Sequence, residues 1–335
     1  MKKILFVFAA CAIGFFVINL NSCTSSTSSN AIVHTWTPAQ SGVTATLISV
    51  RFSTLKVGTA VGVGGVIVRT TDGGTTWVSQ TSGSTSDLYS VSFSDVDHGI
   101  AVGSYGTVIS TANGGATWTP LFVDVDVQFR NVLMTGQTTA YAIGTRYFDV
   151  DNTTGYIYKT TDGGATWKQL SITSPGLYGI SFIDSQNGWV SGFQGVIFKT
   201  TNGGTTWTAE NSNTTATQVA QLSFADATHG IAVGYPGVAG VPGNPTSGFI
   251  LTTSDGGATW TKTSEPNGMD GVWMADREHA MAVGWNGTMM ETSDGGATWT
   301  TKSLGSLRLL NVFLNDANDG ATVGENGQVF ILGSH

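Results

Sequence analysis

The chain has 335 residues, 40% of them hydrophobic and only 11% charged, with 45 glycines and a formal charge of −8. No run of Lys or Arg follows Lys2-Lys3, which excludes a nucleic-acid binder, since phosphate contacts need clustered cations. The two cysteines, Cys11 and Cys23, both precede the patterned part of the chain, so no disulfide can staple the folded region.

Residues 1–22 read as an export signal. Lys2 and Lys3 precede an apolar run from Ile4 to Leu20, and the run stops at Asn21-Ser22-Cys23. It approaches the roughly 20 residues that span a bilayer, so a retained helix is the alternative. Leu20-Asn21-Ser22-Cys23 resembles a bacterial lipoprotein box, which implies that Cys23 becomes the lipidated first residue. Residues 23–31 are then the lipidated cysteine and a small, polar, flexible tether. Residues 32–335 form one repeat domain. Losing Lys2 and Lys3 removes two positive charges and takes the formal charge from −8 to −10. An exported, membrane-anchored lipoprotein of the bacterial cell envelope is expected, in the periplasm or on the outer membrane.

The folded region begins with His34-Thr35-Trp36-Thr37-Pro38, a strand that starts at a Thr-Trp pair. That pair recurs six times, each time behind a Gly-Gly turn. TTDGGTTW ends at Trp77, TANGGATW at Trp118, TTDGGATW at Trp167, TTNGGTTW at Trp207, and TSDGGATW at both Trp260 and Trp299. From Trp36 onward the tryptophans stand 41, 41, 49, 40, 53 and 39 residues apart. A period near 40 is that of a four-stranded propeller blade. Three short β-branched or apolar runs precede each turn; in the second unit they are Tyr89 to Ser94, Gly99 to Val102 and Thr107 to Ser110, and a fourth spans Ala116 to Pro120. A seventh three-run block, Leu309 to Leu332, has no turn or tryptophan after it. The strand at Trp36 is expected to complete that block, closing the ring and covering a sheet edge. The expected fold is all-β: a seven-bladed β-propeller of four-stranded antiparallel blades, the last closed by the N-terminal strand.

The turn has a physical logic. Asp72, Asp162, Asp255 and Asp294 are expected to accept hydrogen bonds from amides two residues on, while the glycines take positive φ. Asn113 and Asn202 can make similar bonds without charge, so shape is wanted here and ionisation is not. Trp77, Trp118, Trp167, Trp207, Trp260 and Trp299 should cover the turns, each contributing at most roughly 5 kcal/mol from about 200 Å² buried. The element resembles the Asp-box of the BNR repeat. In that family the box is structural and lies away from catalytic centres.

Other residue types in the chain could carry chemistry. His98, His229 and His279 occupy one slot of successive units, filled elsewhere by Asn187 and Asp319; they read as turn residues rather than metal ligands. Sialidases resemble the chain in blade pattern but use an arginine triad. Of the six arginines, Arg69 and Arg277 fall on the Asp-box side, and the remainder suggest no triad. No pair of carboxylates about 5 to 9.5 Å apart can be nominated for glycosidase chemistry. No catalytic residue, metal or cofactor is assigned.

Two insertions, Thr145 to Thr154 and Tyr235 to Ser247, break the repeat at the same connection, between second and third strands. That connection and the blade-to-blade crossovers share the face opposite the Asp-boxes, and insertions on one face of a rigid ring are where binding resides. The candidate binding face therefore comprises Arg146, Tyr147, Asp149, Asp151, Asn152, Tyr235 and Asn244, with Asp124, Asp126 and Arg130 from blade three and its crossover. Its carboxylates could serve a hard cation such as Ca²⁺; solvated loop carboxylates are the preferred reading.

The unit F-x-D-x-x-x-G-x-x-V-G-x-x-G-x-[VI], followed by the Asp-box, runs through the mature chain. It is carried by Phe182, Asp184, Gly188, Gly192 and Gly195, and again by Phe224, Asp226, Gly230 and Gly234. This unit resembles that of the photosystem II stability/assembly factor family. The resemblance implies a seven-bladed, non-enzymatic, exported protein that binds a membrane-protein assembly intermediate through an arginine-rich surface. Arg51, Arg130, Arg146 and Arg308 are the arginines off the Asp-box side. The expected function is a non-catalytic lipoprotein scaffold or assembly factor, monomeric, with a protein or a cell-surface polymer as partner. The alternative is a sialidase-like BNR glycoside hydrolase or a carbohydrate-binding propeller.

Overall fold

The structure is a computed structural model, and it describes residues 35–146, 154–214, 218–236 and 247–333. Cys23, Tyr147, Asp149, Asp151, Asn152 and Asn244 lie outside the described residues. The described part forms seven antiparallel sheets of four strands, six of them in chain order from the axis outward and the seventh completed on its outer edge by the N-terminal strand. Blade one comprises Leu47–Phe52, Gly58–Gly62, Ile67–Thr70 and Val78–Gln80. Blade seven joins Leu309–Leu314, Gly320–Gly324 and Gln328–Leu332 to the N-terminal strand Trp36–Gln40. Trp36 opposes Leu332 and Gln40 opposes Gln328, so the expected closure is present. The seven first strands pack in a closed ring around the axis. Apolar cores lie between neighbouring blades; one unites Val61 and Ile67 of blade one with Leu88, Val91 and Trp118 of blade two.

The repeat motif is a set of close approaches. Phe93, ending the first strand of blade two, lies against Gly99, where an added Cβ would stand 2.5 Å from the ring. The same ring meets Trp118 edge-on at 6.0 Å. Phe52, Phe182 and Phe224 repeat this arrangement with Trp77, Trp207 and Trp260. The V-G-x-x-G segment clamps the crossovers. A Cβ on Gly103 would come within 1.8 Å of the Asp87 carbonyl, and one on Gly106 within 2.1 Å of the Asp124 carbonyl. The first of these carbonyls accepts the Ser104 amide at 3.0 Å. Thus the first glycine holds the chain coming into its blade, and the second, with φ +65°, holds the chain leaving it. In blade seven the second role falls to Gly327 against Val43, which lies just after the closing strand.

The Asp-box differs from expectation in one respect. The Asp72 carboxylate accepts the amide of Thr76, four residues on rather than two, at 2.9 Å, and the Thr76 hydroxyl at 2.6 Å. The shift arises because Thr70, two residues earlier, takes the nearer amides of Asp72 and Gly74 with its own hydroxyl. Asn113 accepts from the Thr117 amide at 2.9 Å and donates to its hydroxyl, so the neutral side chain does the same work. The Thr76 hydroxyl and amide hold Asp72 down to about 2, and Asp162, Asp255 and Asp294 are held there by their own threonines. Because the box wraps through Thr117, the fourth strand of blade two starts at Thr119, not Ala116. His98, His229 and His279 each place Nδ1 against the corner aspartate three residues earlier, at 2.9 to 3.2 Å, as turn residues should.

Candidate functional site: a donor-lined axial cavity

Each of the seven first strands carries a register shift at the same place, between Leu47 and Ser49 in blade one and between Leu88 and Ser90 in blade two. The other five strands repeat it. A β-bulge breaks the strict alternation of strand faces and re-aims a side chain. Here two consecutive residues per blade turn toward the axis near the crossover end. They surround a cavity of about 340 Å³.

The upper ring includes Tyr89, Arg130, Tyr178 and Asp270. The Arg130 guanidinium sits 5.2 Å from the centroids of both Tyr89 and Tyr178, a cation–π arrangement, and its buried Nε has no partner. The Tyr89 hydroxyl is fixed by Ser104 and Gln128, both at 2.9 Å. Arg308 meets the Asp270 carboxylate with two nitrogens, Nε at 2.7 Å, and stacks 4.0 Å from the Trp285 ring centroid. Burial pushes Asp270 up, and the hydrogen bonds and charge of the bidentate arginine pull it partly back. Burial also raises the Tyr235 phenol, with the Asp270 charge adding to it, so Tyr235 is a neutral donor rather than a nucleophile.

Below this ring the strands are tied to one another through side chains. Ser90 accepts the Val132 amide at 3.2 Å and donates to Asn131 at 2.9 Å. Asn131 donates to the Tyr178 carbonyl and to Gln221. Asn311 accepts the Val50 amide, bonding blade seven to blade one. Deeper still, Arg51 is 9% exposed and lies 3.9 Å from the Trp273 ring centroid.

The structure therefore brings together two of the sequence-derived candidates, Arg130 and Tyr235. Arg146 ends the second strand of blade three and is exposed. Asp124 spends its oxygens on the Asp126 amide at 3.1 Å and the Tyr158 hydroxyl at 2.9 Å, shaping the crossover rather than lining the cavity. Arg69 and Arg277 are on the Asp-box side, bonded to the Val96 carbonyl and to Asp226. Sequence reasoning found no arginine triad, yet Arg51, Arg130 and Arg308 line one cavity. It also missed Tyr89, Tyr178 and Asp270. The available signal was their shared slot, the second residue of each first strand.

The cavity holds one carboxylate among its described lining residues, Asp270, and Arg308 occupies it. These features define a seven-bladed Asp-box propeller whose axis offers hydrogen-bond donors and cations on the crossover face. The chain belongs to the Photosynthesis system II assembly factor YCF48 family, whose model matches residues 28–176 and 168–273. Among solved structures it is similar to one described as YCF48 bound to D1 peptide, with 20% identity and a TM-score of 0.69, covering 90% of this chain and 95% of that one. YCF48 from Cyanidioschyzon merolae is similar at 19% identity and TM-score 0.69, over 89% and 98% of the two chains. The GH74 xyloglucanase from Xanthomonas campestris shares the propeller at 12% identity and TM-score 0.64, over 88% of this chain and 53% of its own. At these identities the structural likeness speaks to the fold. No curated protein matches the chain.

Proposed function

We propose that the chain is a non-catalytic scaffold of the assembly-factor kind that holds a polypeptide partner on its crossover face. The observation that carries this reading is the axial cavity, where stacked arginines and tyrosines replace the paired carboxylates a glycosidase needs. Family membership supports it, as does the relative solved with a peptide. Tyr105, Phe122 and Val125 add apolar surface around the hairpin and crossover that leave blade two, being 47%, 60% and 64% exposed. Aromatic side chains of this kind are enriched at the cores of polypeptide interfaces. Export through residues 1–22 and a lipid on Cys23 would hold the propeller at an envelope membrane, where membrane-protein partners are found.

The competing hydrolase reading fails or survives on turnover. Incubated with sialosides and with β-glucans, including xyloglucan, the protein is expected to release no sugar. Release that disappears in Asp270→Asn would overturn the scaffold reading.

A further inference from the structure

Toward the floor of the cavity the hydrogen-bond pattern leaves donors; nearer the mouth Gln218 donates Nε2 to Tyr235 and keeps Oε1 as an acceptor. Backbone groups fix the amide orientations, because the Tyr178 carbonyl can only accept, so Asn131 must present Nδ2 to it. The same Nδ2 reaches Gln221, whose oxygen is thereby used and whose Nε2 remains. The Val50 amide can only donate, so Asn311 presents Oδ1 to it and keeps Nδ2. Ser49 accepts from the Val91 amide at 3.4 Å and keeps its hydroxyl proton. The acceptor oxygens of Gln221 and Asn311 are spent on blade-to-blade ties and Ser49 accepts from Val91, so these three keep N–H or O–H for the void.

Arg51 stands about 7 Å deeper than Ser49 along the same strand, two residues on. The residue is 9% exposed, with the rings of Trp273 and Phe313 beside its guanidinium at 3.9 and 5.2 Å. Among the described residues it has no hydrogen bond and no carboxylate partner. Aromatic faces recover part of the desolvation cost of a buried cation but satisfy none of its five N–H groups in plane. A buried, unpaired charge is costly to keep, and a chain of formal charge −8 has carboxylates to spare. The cavity nevertheless retains Arg51 and Arg130 uncompensated, since its one carboxylate is taken by Arg308.

We propose that the floor of this axial cavity is a carboxylate-binding site, with the Arg51 guanidinium receiving both oxygens. Ser49, Gln221 and Asn311 supply further hydrogen bonds from the wall, and Arg130 at the mouth adds a second positive charge. The site goes beyond the scaffold reading and does not depend on it. The carboxylate belongs either to a small free acid or to the C-terminus of a polypeptide threaded down the axis. A volume of about 340 Å³ admits both.

The test is calorimetric titration of the detergent-solubilised full chain with three probes: malonate, acetyl-Ala-Ala with a free C-terminus, and its C-terminal amide, all against chloride at matched ionic strength. Saturable one-to-one binding of at least one free carboxylate is expected, with none by the amide. Malonate alone identifies a small acid as the ligand, and the free dipeptide alone a chain terminus. Arg51→Met is expected to weaken binding at least about tenfold, in keeping with loss of a charged hydrogen-bond partner; Arg51→Lys should recover part of it, and Lys168→Met, at an exposed position on the outer strand of blade three, should change nothing. If Arg51→Met fails to fold, Arg130→Met gives the same reading at the mouth. No saturable binding in the millimolar range, or binding indifferent to these cavity substitutions, overturns the proposal. Carboxylate binding without any polypeptide partner would count against the scaffold reading alone.

Discussion

A chain that begins after Gln40 is expected to lose cooperative folding. The segment Trp36–Gln40 is the outer strand of blade seven, registered along its whole length with Gln328–Leu332. Without it the Gln328–Leu332 strand becomes an open edge with unpaired amides and carbonyls, a template for aggregation. The segment also brings Trp36, buried against Met281, Leu309 and Leu332, so blades six and seven lose a shared anchor. Trp36→Ala alone is expected to cost about 3–5 kcal/mol, the range for deleting a buried aromatic. Removal of the strand should exceed that and leave aggregated or partly unfolded protein by circular dichroism and size-exclusion chromatography. The decisive control is a permutant with residues 41–333 followed by an Asp-box turn and then residues 35–40, which should restore one sharp unfolding transition. Native-like unfolding of the simple truncation would show that ring closure is dispensable.

Gly103→Ala is expected to destabilise by more than about 3 kcal/mol, placing it in the tail of single substitutions. The backbone there is extended, with φ −166°, so torsional strain is not the cause. The added methyl would lie 1.8 Å from the Asp87 carbonyl. Separating the two would break the Ser104 amide bond to that carbonyl and loosen the Tyr89 hydroxyl, which Ser104 also holds. The damage therefore runs from the hairpin to the mouth of the cavity. Gly136→Ala, at a glycine with open space around its Cα, should stay within about 0.5 kcal/mol. Denaturant unfolding of the pair checks this, and equal midpoints would refute the clamp role of Gly103.

How the sequence discloses this fold, and conceals the site, follows from the same repetition. Trp36 could be matched to a blade lacking a tryptophan because the period near 40 reports blade count and closure directly. His98, His229 and His279 could be assigned to corners because equivalent slots share a local geometry. The carboxylate bonding of Asp72 was misplaced by two residues because the competing acceptor is Thr70, a residue outside the Gly-Gly turn itself. The cavity was harder still. Arg51, Arg130, Tyr178 and Asp270 each come from a different blade, and only closure of the ring makes them neighbours. The bulge that aims them inward is a backbone register shift with no residue type of its own. A reading by strict alternation sends Ser49 and Ser90 to the wrong side. Arg308 and Asp270, 38 residues apart, pair across blades and turn what could have been a third free cation into a neutral strut.

The two faces are expected to divide the labour, with structure on the Asp-box side and binding on the crossover side. On the Asp-box face the carboxylates are satisfied locally, Asp72 by Thr76 and Asp226 by His229 and Arg277. On the crossover face the buried Arg130 Nε lacks a partner, and Tyr105, Phe122 and Val125 stand in solvent. The most direct measurement is photo-cross-linking in the native host from a benzophenone side chain placed at Tyr105 on the crossover face or at Thr75 on the Asp-box face, both exposed positions. The account predicts a discrete polypeptide adduct from position 105 and none from position 75. An adduct from position 75 alone would contradict it.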